Sequence, residues 1–342
     1  MKKLYYIANI RIPTEKAHGI QIMKMCEAFS HQGVEVELVV PERSSDIKED
    51  VFDYYQVERN FTMTRLWCLD WVRFGKLGFW IESLTFAERV FWHIVFEDGV
   101  FYTRDEFMAA CLSLIGKKTV WEVHMGQRNF LAKLVVKMGV PLVTISQGLK
   151  DLYSSAHKIL VSPDAVDVIR FDLAITKEEA REKLGLPEDK KIVMYTGSLY
   201  KRKGVETLRE ASKAWGEDIQ CIIVSGKPYK EIPLYLKAAD VLVLPNSSKD
   251  PISQLYTSPM KLFEYMASGK PIVTSDVPSA REILDDSEAY FFTPDDAESL
   301  AHVIKRVFED PSLAQSKAEA ARIKADKYTW DKRAEQIIEF IS

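Results

Sequence analysis

Short apolar runs alternate with amphipathic stretches along the whole chain. At its beginning, an apolar run from Leu4 to Ile10 precedes a polar loop, helical spacing from Ile20 to Phe29, and a second apolar run from Val34 to Val40. A strand, a helix and a second strand in so short a stretch predict a βαβ unit and hence a parallel sheet.

The same alternation starts again in the second half of the chain. Apolar runs at residues 191–196, 220–224, 241–244 and 272–274 are separated by stretches with helical spacing. The length of 342 residues suits two domains of about 150 residues each. We therefore predict an α/β protein with an N-terminal domain over 1–163, a second domain over 164–325 and a terminal helix over 326–342.

Composition narrows the class of protein. The net charge of −4 gives no general case for nucleic-acid binding. Four cysteines are scattered without a Cys-x-x-Cys pair or clustered histidines, which favours a reducing compartment and argues against structural zinc. No run reaches the ~20 apolar residues of a membrane-spanning helix, and Asn9 and Arg11 break the first apolar run, so we expect no signal peptide and a cytoplasmic location.

The stretch from Tyr256 to Asp276 predicts a small helix whose beginning can bind an anion. Ser258 before Pro259 is typical of an N-cap, and Gly269 is typical of a helix end. Free N–H groups at such an N-terminus attract phosphates, and Lys261 falls in the first turn with Glu264 one turn on. Ordinary helix design explains the same pattern, and the spacing leaves both interpretations open.

Further candidates follow other predicted strands, where loops of a parallel sheet carry ligands. The loop from Gly197 to Gly204 holds three basic residues, of which Lys201 and Arg202 also fit a solvated turn. The loop before Gly19 lacks G-x-G-x-x-G, so a nicotinamide site is not supported, and Gly19 also fits a plain turn. His124 ends the strand predicted from Val120 to Val123, although a lone histidine is usually structural.

Residues 61–96 are crowded with tryptophan and phenylalanine, with Arg65, Arg73, Lys76 and Arg89 between them. Core packing of an α/β layer is the plainer interpretation for most of these residues. The alternative is a surface that contacts a membrane peripherally or binds a lipid-linked acceptor. Membrane docking requires in addition that a helix in this stretch has an exposed apolar face.

The segments YTSPMKLFEYMASGKPIVTSD (256–276) and GSLYKRKG (197–204) resemble the nucleotide-sugar signature of retaining GT-B glycosyltransferases related to glycogen synthase and sucrose synthase. The resemblance extends over essentially the whole chain. It implies two Rossmann-like domains facing across a cleft, with the C-terminal helix crossing back to the N-terminal domain.

The resemblance also implies roles for individual residues. Glu264 would bind the ribose, Lys203 the diphosphate, and His124 would lie beside the transferring sugar, so His124 and Lys203 are the expected catalytic residues. The expected donor-binding residues are Gly19, Ser198, Lys203, Gly226, Pro245, Tyr256, Thr257, Ser258, Lys261 and Glu264. The sequence departs from the family at Tyr256 and Met125, where acidic residues are usual, and at Ser198, where arginine is usual.

The implied function is transfer of a hexose from a UDP- or GDP-linked sugar to the hydroxyl of a sugar or lipid-linked acceptor, with retained configuration. Cell-surface polysaccharide or glycolipid synthesis is the implied setting. No Asp-x-Asp motif lies in the donor loops, so we expect no metal and no cofactor besides the donor. A nucleotide-sugar epimerase of the same fold and a catalytically weak carbohydrate-binding protein remain alternatives.

Overall fold

The computed structural model describes residues 1–342, which form two compact units. The N-terminal unit consists of Met1–Ile145, Leu149–Ser162 and Trp330–Ser342. The C-terminal unit consists of Ser146–Gly148 and Pro163–Thr329. The short segment 146–148, which the sequence did not reveal, packs with the C-terminal unit, where the Ser146 hydroxyl donates to the Leu255 carbonyl at 2.8 Å.

A seven-stranded parallel sheet forms the centre of the N-terminal unit. Its strands are β1 (Lys3–Ile7), β2 (Glu35–Pro41), β3 (Thr62–Leu66), β4 (Val100–Thr103), β5 (Lys118–Val123), β6 (Leu142–Thr144) and β7 (Ile159–Val161). They are ordered β3-β2-β1-β4-β5-β6-β7, so the winding changes direction between β1 and β4. Loops at the carboxyl ends of these two strands therefore diverge and leave room for a ligand.

Helices cover both faces of this sheet, which explains why β1 is buried and apolar from Leu4 to Ile7 rather than alternating. In chain order they are α1 (Ala17–His31), α2 (Val51–Tyr55), α3 (Gly75–Ile94), α4 (Glu106–Leu114), α5 (Phe130–Lys137) and α6 (Gln147–Leu152). The chain passes from one unit to the other within α6.

The C-terminal unit contains a five-stranded parallel sheet. Its strands are β8 (Lys191–Thr196), β9 (Ile219–Val224), β10 (Val241–Leu244), β11 (Ile272–Ser275) and β12 (Tyr290–Phe292). The order β12-β11-β10-β8-β9 changes direction between β8 and β10, so this unit has its own ligand position at their carboxyl ends.

Nine helices surround this second sheet, and a tenth returns to the first unit. Those of the C-terminal unit are α7 (Val168–Phe171), α8 (Lys177–Leu184), α9 (Val205–Ser212), α10 (Ile232–Ala238), α11 (Pro251–Gln254), α12 (Met260–Ala267), α13 (Pro278–Arg281), α14 (Ala297–Glu309) and α15 (Pro311–Ala325). The last helix, α16 (Trp330–Ile341), belongs to the N-terminal unit, where it packs along α1. The predicted α/β class is confirmed.

The core-packing interpretation of residues 61–96 is wrong for most of the large apolar side chains before and along α3. Phe86 is fully buried, but eight others between Trp67 and Leu84 are exposed by at least 36%. We call these residues the aromatic surface: Trp67, Trp71, Val72, Phe74, Leu77, Phe79, Trp80 and Leu84. No helix in the structure combines the length and the apolar composition needed to cross a bilayer.

Candidate active site

The basic loop after β8 is held against the end of β10. Gly204 follows a tight turn at Lys201–Lys203 and has a φ of +65°. A Cβ atom there would lie 1.7 Å from the Pro245 carbonyl oxygen, so no other residue fits. The Ser247 N–H also donates to the Arg202 carbonyl at 3.1 Å. These contacts fix the backbone that carries Lys203 at the point where the sheet changes direction.

Two lysines from different segments come together at this edge. Burial lowers the pKa of Lys203 to about 8, with help from Arg202 and against the pull of Asp250. Burial and the charge of Lys203 lower the pKa of Lys261 well below its usual value. Lys261 Nζ donates to Tyr195 Oη at 2.7 Å and lies 3.9 Å from the ring centre. Lys203 forms no ion pair, so an anion placed here would relieve the repulsion between two ammonium groups.

The N-terminus of α12, where Lys261 lies, is not capped by a side chain. The predicted N-cap at Ser258 is wrong: α12 begins at Met260, Pro259 occupies the N-cap position, and no side chain accepts from the first turn. The Ser258 hydroxyl instead accepts the Asp164 N–H at 2.8 Å. The Leu262 N–H donates to the Pro259 carbonyl at 2.8 Å, so the N–H groups of Met260 and Lys261 are the first-turn donors that remain available.

Glu264 lies one turn into α12 and is only 7% exposed. Burial raises its pKa to about 7, while the charges of Lys261 and Arg170 act in the opposite direction. The Tyr229 hydroxyl also interacts with the carboxylate, and the Arg170 guanidinium lies 4.3 Å from the Tyr229 ring centre. A carboxylate held in this way accepts hydrogen bonds from hydroxyl groups of a ligand with little loss of side-chain freedom.

The other predicted donor residues of the C-terminal unit occupy nearby strand ends. Ser198 is exposed, and its carbonyl accepts from Tyr195 Oη at 2.7 Å. Pro245 ends β10, and Gly226 follows β9 in an open turn with a φ of +69°. Tyr256 and Thr257 are half-buried just before Ser258. The hydrogen bonds and charge interactions described above join Ser198, Lys203, Pro245, Lys261 and Glu264 into one site.

A second pocket lies in the N-terminal unit where β1 and β4 diverge. It has a volume of about 250 Å³. Its lining includes Asn9, His18, Arg104, Glu106, Trp121 and His124. His124, predicted from its place at the end of β5, is therefore part of a real pocket.

A buried ionic network supports this pocket from below. The fully buried Glu122 carboxylate accepts from Tyr6 at 3.0 Å, from Gln21 at 2.9 Å and from Arg333 of α16 at 2.5 Å. His124 Nε2 lies 3.1 Å from the same carboxylate. Burial opposes ionisation, but the charge of Arg333, together with a hydrogen bond from His124, holds the pKa of Glu122 well below its usual value. The network thus contains a carboxylate that stays charged.

The two histidines of the pocket are neutral at physiological pH. Burial and the charge of Arg104 lower the pKa of both His18 and His124 to about 4. His124 is therefore suited to hydrogen bonding with a hydroxyl group rather than to donating a proton from an imidazolium.

Gly19 lies in the first turn of the helix α1 and not in a loop, so the interpretation of this glycine as part of a plain loop turn is wrong. A Cβ atom at Gly19 would lie 2.3 Å from the Tyr55 hydroxyl. That hydroxyl donates to the Thr14 carbonyl at 2.8 Å and accepts the Thr14 N–H at 2.7 Å. The absence of a side chain at Gly19 thus leaves space for the Tyr55 hydroxyl, which fixes the loop before α1 through its two hydrogen bonds with Thr14.

Sequence reasoning missed Glu122, Arg333, Tyr195 and Arg170 as parts of these sites. One signal was present, because a glutamate inside an apolar strand requires a buried partner. Arg333 lies 211 residues from Glu122 in an ordinary amphipathic helix, so no local pattern points to it.

The family described as "Glycosyl transferases group 1" matches residues 207–324. A curated relative, the putative teichuronic acid biosynthesis glycosyltransferase TuaC of Bacillus subtilis, is 28% identical over 164 residues, covering 43% of this chain and 40% of that protein. The chain spans about half the length of the curated relatives it matches.

Solved structures match over nearly the full length. Sucrose-phosphate synthase from Thermosynechococcus elongatus superposes with a TM-score of 0.77 at 17% identity, covering 99% of this chain and 98% of the other. Anabaena HepE in complex with UDP-glucose gives a TM-score of 0.77 at 14% identity, covering 99% of both chains. The resemblance to group 1 GT-B glycosyltransferases is confirmed. The two Rossmann-like units are those of the GT-B fold, and the matched segment contains α12 with Lys261 and Glu264.

Proposed function

We propose that this chain is a glycosyltransferase that takes its sugar from a nucleoside diphosphate donor bound in the C-terminal unit. The observation that carries the proposal is the pair Lys203 and Lys261 at the uncapped beginning of α12, with the buried Glu264 one turn away. This arrangement offers positive charge and N–H donors to a diphosphate, and an acceptor to ribose hydroxyls. The match to group 1 glycosyl transferases over residues 207–324, which include Lys261 and Glu264, and the UDP-glucose bound to HepE support the assignment.

The chemistry is mainly electrostatic. When the bond between the anomeric carbon and the diphosphate oxygen breaks, negative charge grows on the leaving diphosphate. Lys203, Lys261 and the first-turn N–H groups of α12 stabilise that charge without having to reorganise. A hydroxyl of the acceptor attacks the anomeric carbon and passes its proton to the leaving phosphate. Attack from the face that the phosphate leaves retains the configuration.

The acceptor side is assigned to the pocket of the N-terminal unit. His124 and His18 are neutral there, and Arg104, Asn9 and Glu106 offer further polar contacts to a sugar. We propose a hexose as the transferred group and a cell-surface polysaccharide or glycolipid as the product, in keeping with the teichuronic acid biosynthesis named for the relative. The four cysteines are unpaired, which fits a cytoplasmic enzyme.

Lys203→Ala tests the diphosphate role. We expect it to weaken UDP or GDP binding by about 1.5–3 kcal/mol, the scale of a charged hydrogen bond. Isothermal titration calorimetry measures the loss. The matched control is Lys201→Ala, because Lys201 is an exposed lysine in the same turn and should change affinity little. Equal losses in both variants would remove Lys203 from the site.

Glu264→Gln tests the ribose role. The variant should bind UDP more weakly than the wild type, yet the two should differ little for an analogue without ribose hydroxyls.

Incubating the wild type with the donor alone and examining the sugar by NMR distinguishes the epimerase alternative, which requires a new epimer. Transfer should also survive EDTA, since we assign charge neutralisation to lysines and N–H groups; activity restored only by a divalent ion would contradict this.

A further inference from the structure

The first half of α3, up to Leu84, has an inverted distribution of polarity, whereas Phe86, Val90 and Ile94 of its second half lie in the core. Its buried face includes the charged Glu82 and the hydroxyl of Ser83, while Leu77, Trp80 and Leu84 on its outer face are 44–73% exposed. Arg43 holds Glu82 through a contact of 3.3 Å between Nη2 and Oε2. Folding alone favours the opposite distribution, so the exposed apolar side chains require another explanation.

The turn before α3 extends this outer face rather than covering it. Gly78 allows the turn to fold closely onto the helix, since a Cβ atom there would lie 1.9 Å from the Trp71 carbonyl oxygen. Trp71 and Phe74 consequently pack edge to face at 6.1 Å beside α3, with 46% and 61% of their surfaces exposed. Specific packing contacts of the fold therefore hold Trp71 and Phe74 in their exposed positions within the aromatic surface.

Basic side chains accompany the aromatic surface. Arg65, Arg73, Lys76 and Arg89 are all exposed, against the exposed acids Asp70 and Glu88. The Arg73 guanidinium lies 4.8 Å from the Phe74 ring centre, and that of Arg89 lies 5.4 Å from the Trp67 ring. A basic surface on a chain with a net charge of −4 is complementary to anionic headgroups. Tryptophan and phenylalanine with flanking cations are typical of segments that lie in a membrane interface.

The aromatic surface borders the acceptor pocket. Trp80 packs edge to face against Phe107, in the first turn of α4, at 5.7 Å between ring centres. The neighbouring Glu106 lines the pocket, as does Asn9, whose amide donates to the Ser83 hydroxyl at 3.0 Å. One wall therefore separates the pocket from the aromatic surface.

We propose that the aromatic surface docks on an anionic lipid bilayer and that the adjacent pocket receives the polar head of an acceptor anchored in that bilayer. The inference rests on the proposed function and specifies its acceptor as a membrane-anchored glycolipid or lipid-linked sugar. Side chains of the surface enter the interface while Arg73, Lys76 and Arg89 contact headgroups. Docking then presents lipid heads directly beside Trp80 and Phe107.

Vesicle co-sedimentation of the full chain tests docking. The wild type should bind vesicles of equal parts phosphatidylglycerol and phosphatidylcholine, bind pure phosphatidylcholine vesicles more weakly, and dissociate as salt increases. The double variant Phe74→Glu/Leu77→Glu should lose about tenfold or more in partitioning, since it removes two large apolar groups from the interface. The matched control is Leu313→Glu/Ile323→Glu, which changes two exposed apolar residues on α15 of the other unit and should bind as the wild type does.

Several outcomes would overturn the inference. It fails if the wild type does not sediment with anionic vesicles, or if the two double variants lose binding equally. It also fails if the wild type forms dimers in light scattering that Phe74→Glu/Leu77→Glu disrupts without any vesicle binding, because the surface then serves a second copy of the chain. UDP titration of the same proteins keeps the two proposals apart: retained UDP affinity without vesicle binding contradicts only the membrane inference.

Discussion

The two sites treat charge in opposite ways. Beneath the pocket of the N-terminal unit, the buried Glu122 is already matched by Arg333, and the histidines are neutral. At the carboxyl ends of β8 and β10, burial instead lowers the pKa of both Lys203 and Lys261, the charge of Lys203 lowers that of Lys261 further, and no carboxylate is bound to Lys203. The buried network of the first site is charge-compensated without a ligand, although Arg104 in the pocket lining has no carboxylate partner, whereas the second site would be completed by an anion.

This difference indicates what each site is suited to bind. The neutral His18 and His124 of the first pocket are suited to recognising hydroxyl groups through directed hydrogen bonds. A site with excess positive charge binds a diphosphate strongly and stabilises it as a leaving group. The division fits the proposed assignment of acceptor to one unit and donor to the other.

Removing the compensating carboxylate should have the largest effect. Glu122→Ala leaves the Arg333 charge buried, and we expect the free energy of unfolding to fall by about 3–5 kcal/mol. Urea denaturation measures the change. Glu206→Ala breaks an exposed ion pair with Arg209 and should cost no more than about 1 kcal/mol. A cost for Glu122→Ala as small as that of the surface control would show that the network is not compensated by burial and charge as described.

Displacing the lysine loop should come next. In Gly204→Ala the left-handed φ and the 1.7 Å approach to Pro245 together should cost about 3 kcal/mol of stability. UDP affinity should fall with it, because the backbone of Lys203 must shift.

Gly226→Ala provides the control for that substitution. Its φ of +69° is similar, but nothing lies within 4 Å of the added Cβ atom, so only about 1–2 kcal/mol of backbone strain remains. Equal costs at Gly204 and Gly226 would show that the contact with Pro245 does not hold the loop.

The pH dependence of UDP binding should show the smallest effect and separate the groups of the donor site. Glu264, with a pKa of about 7, becomes a carboxylate as pH rises through 7, and Lys203, with a pKa of about 8, loses its charge above 8. Affinity should therefore be highest between these values, declining by up to about tenfold per pH unit outside them. Titration calorimetry across this range measures both declines.

Variants assign each side of that profile. Glu264→Gln should lose the decline below pH 7, and Lys203→Ala should lose the decline above pH 8. Because the folded-state pKa of Glu264 lies above its unfolded value of 4.5, its ionisation opposes folding at pH 8 but not at pH 4. The glutamine variant should accordingly gain stability only at the higher pH. An unchanged profile in both variants would exclude these residues as its cause.

Much of the fold was predictable from local pattern. Apolar runs of strand length separated by helical spacing repeat in both halves, and parallel sheets bring the following loops to one edge. This placement made the loop with Lys203 and the helix with Lys261 and Glu264 candidates for a site, and the family resemblance supplied the expected roles of Lys203 and Glu264. Their mutual influence on pKa depends on burial, which no spacing reveals.

The mistaken and missed features depend on distant partners. Ser258 looked like an N-cap, but an N–H group 94 residues away occupies its hydroxyl. The aromatic residues near α3 looked like core because composition alone does not separate a buried face from an exposed one. The exposure of Leu77, Trp80 and Leu84, together with the burial of Glu82 and Ser83, shows that the apolar side chains in the first half of α3 point outward.

The return of α16 to the first unit has a consequence for synthesis of the chain. The arginine that neutralises Glu122 leaves the ribosome roughly ten to thirty seconds after Ser162, at ordinary rates of translation. Until then the N-terminal unit contains the Glu122 carboxylate without its arginine partner. The N-terminal unit thus cannot complete its buried ionic network before Arg333 is made, and a nascent chain stalled before Arg333 would lack that contact.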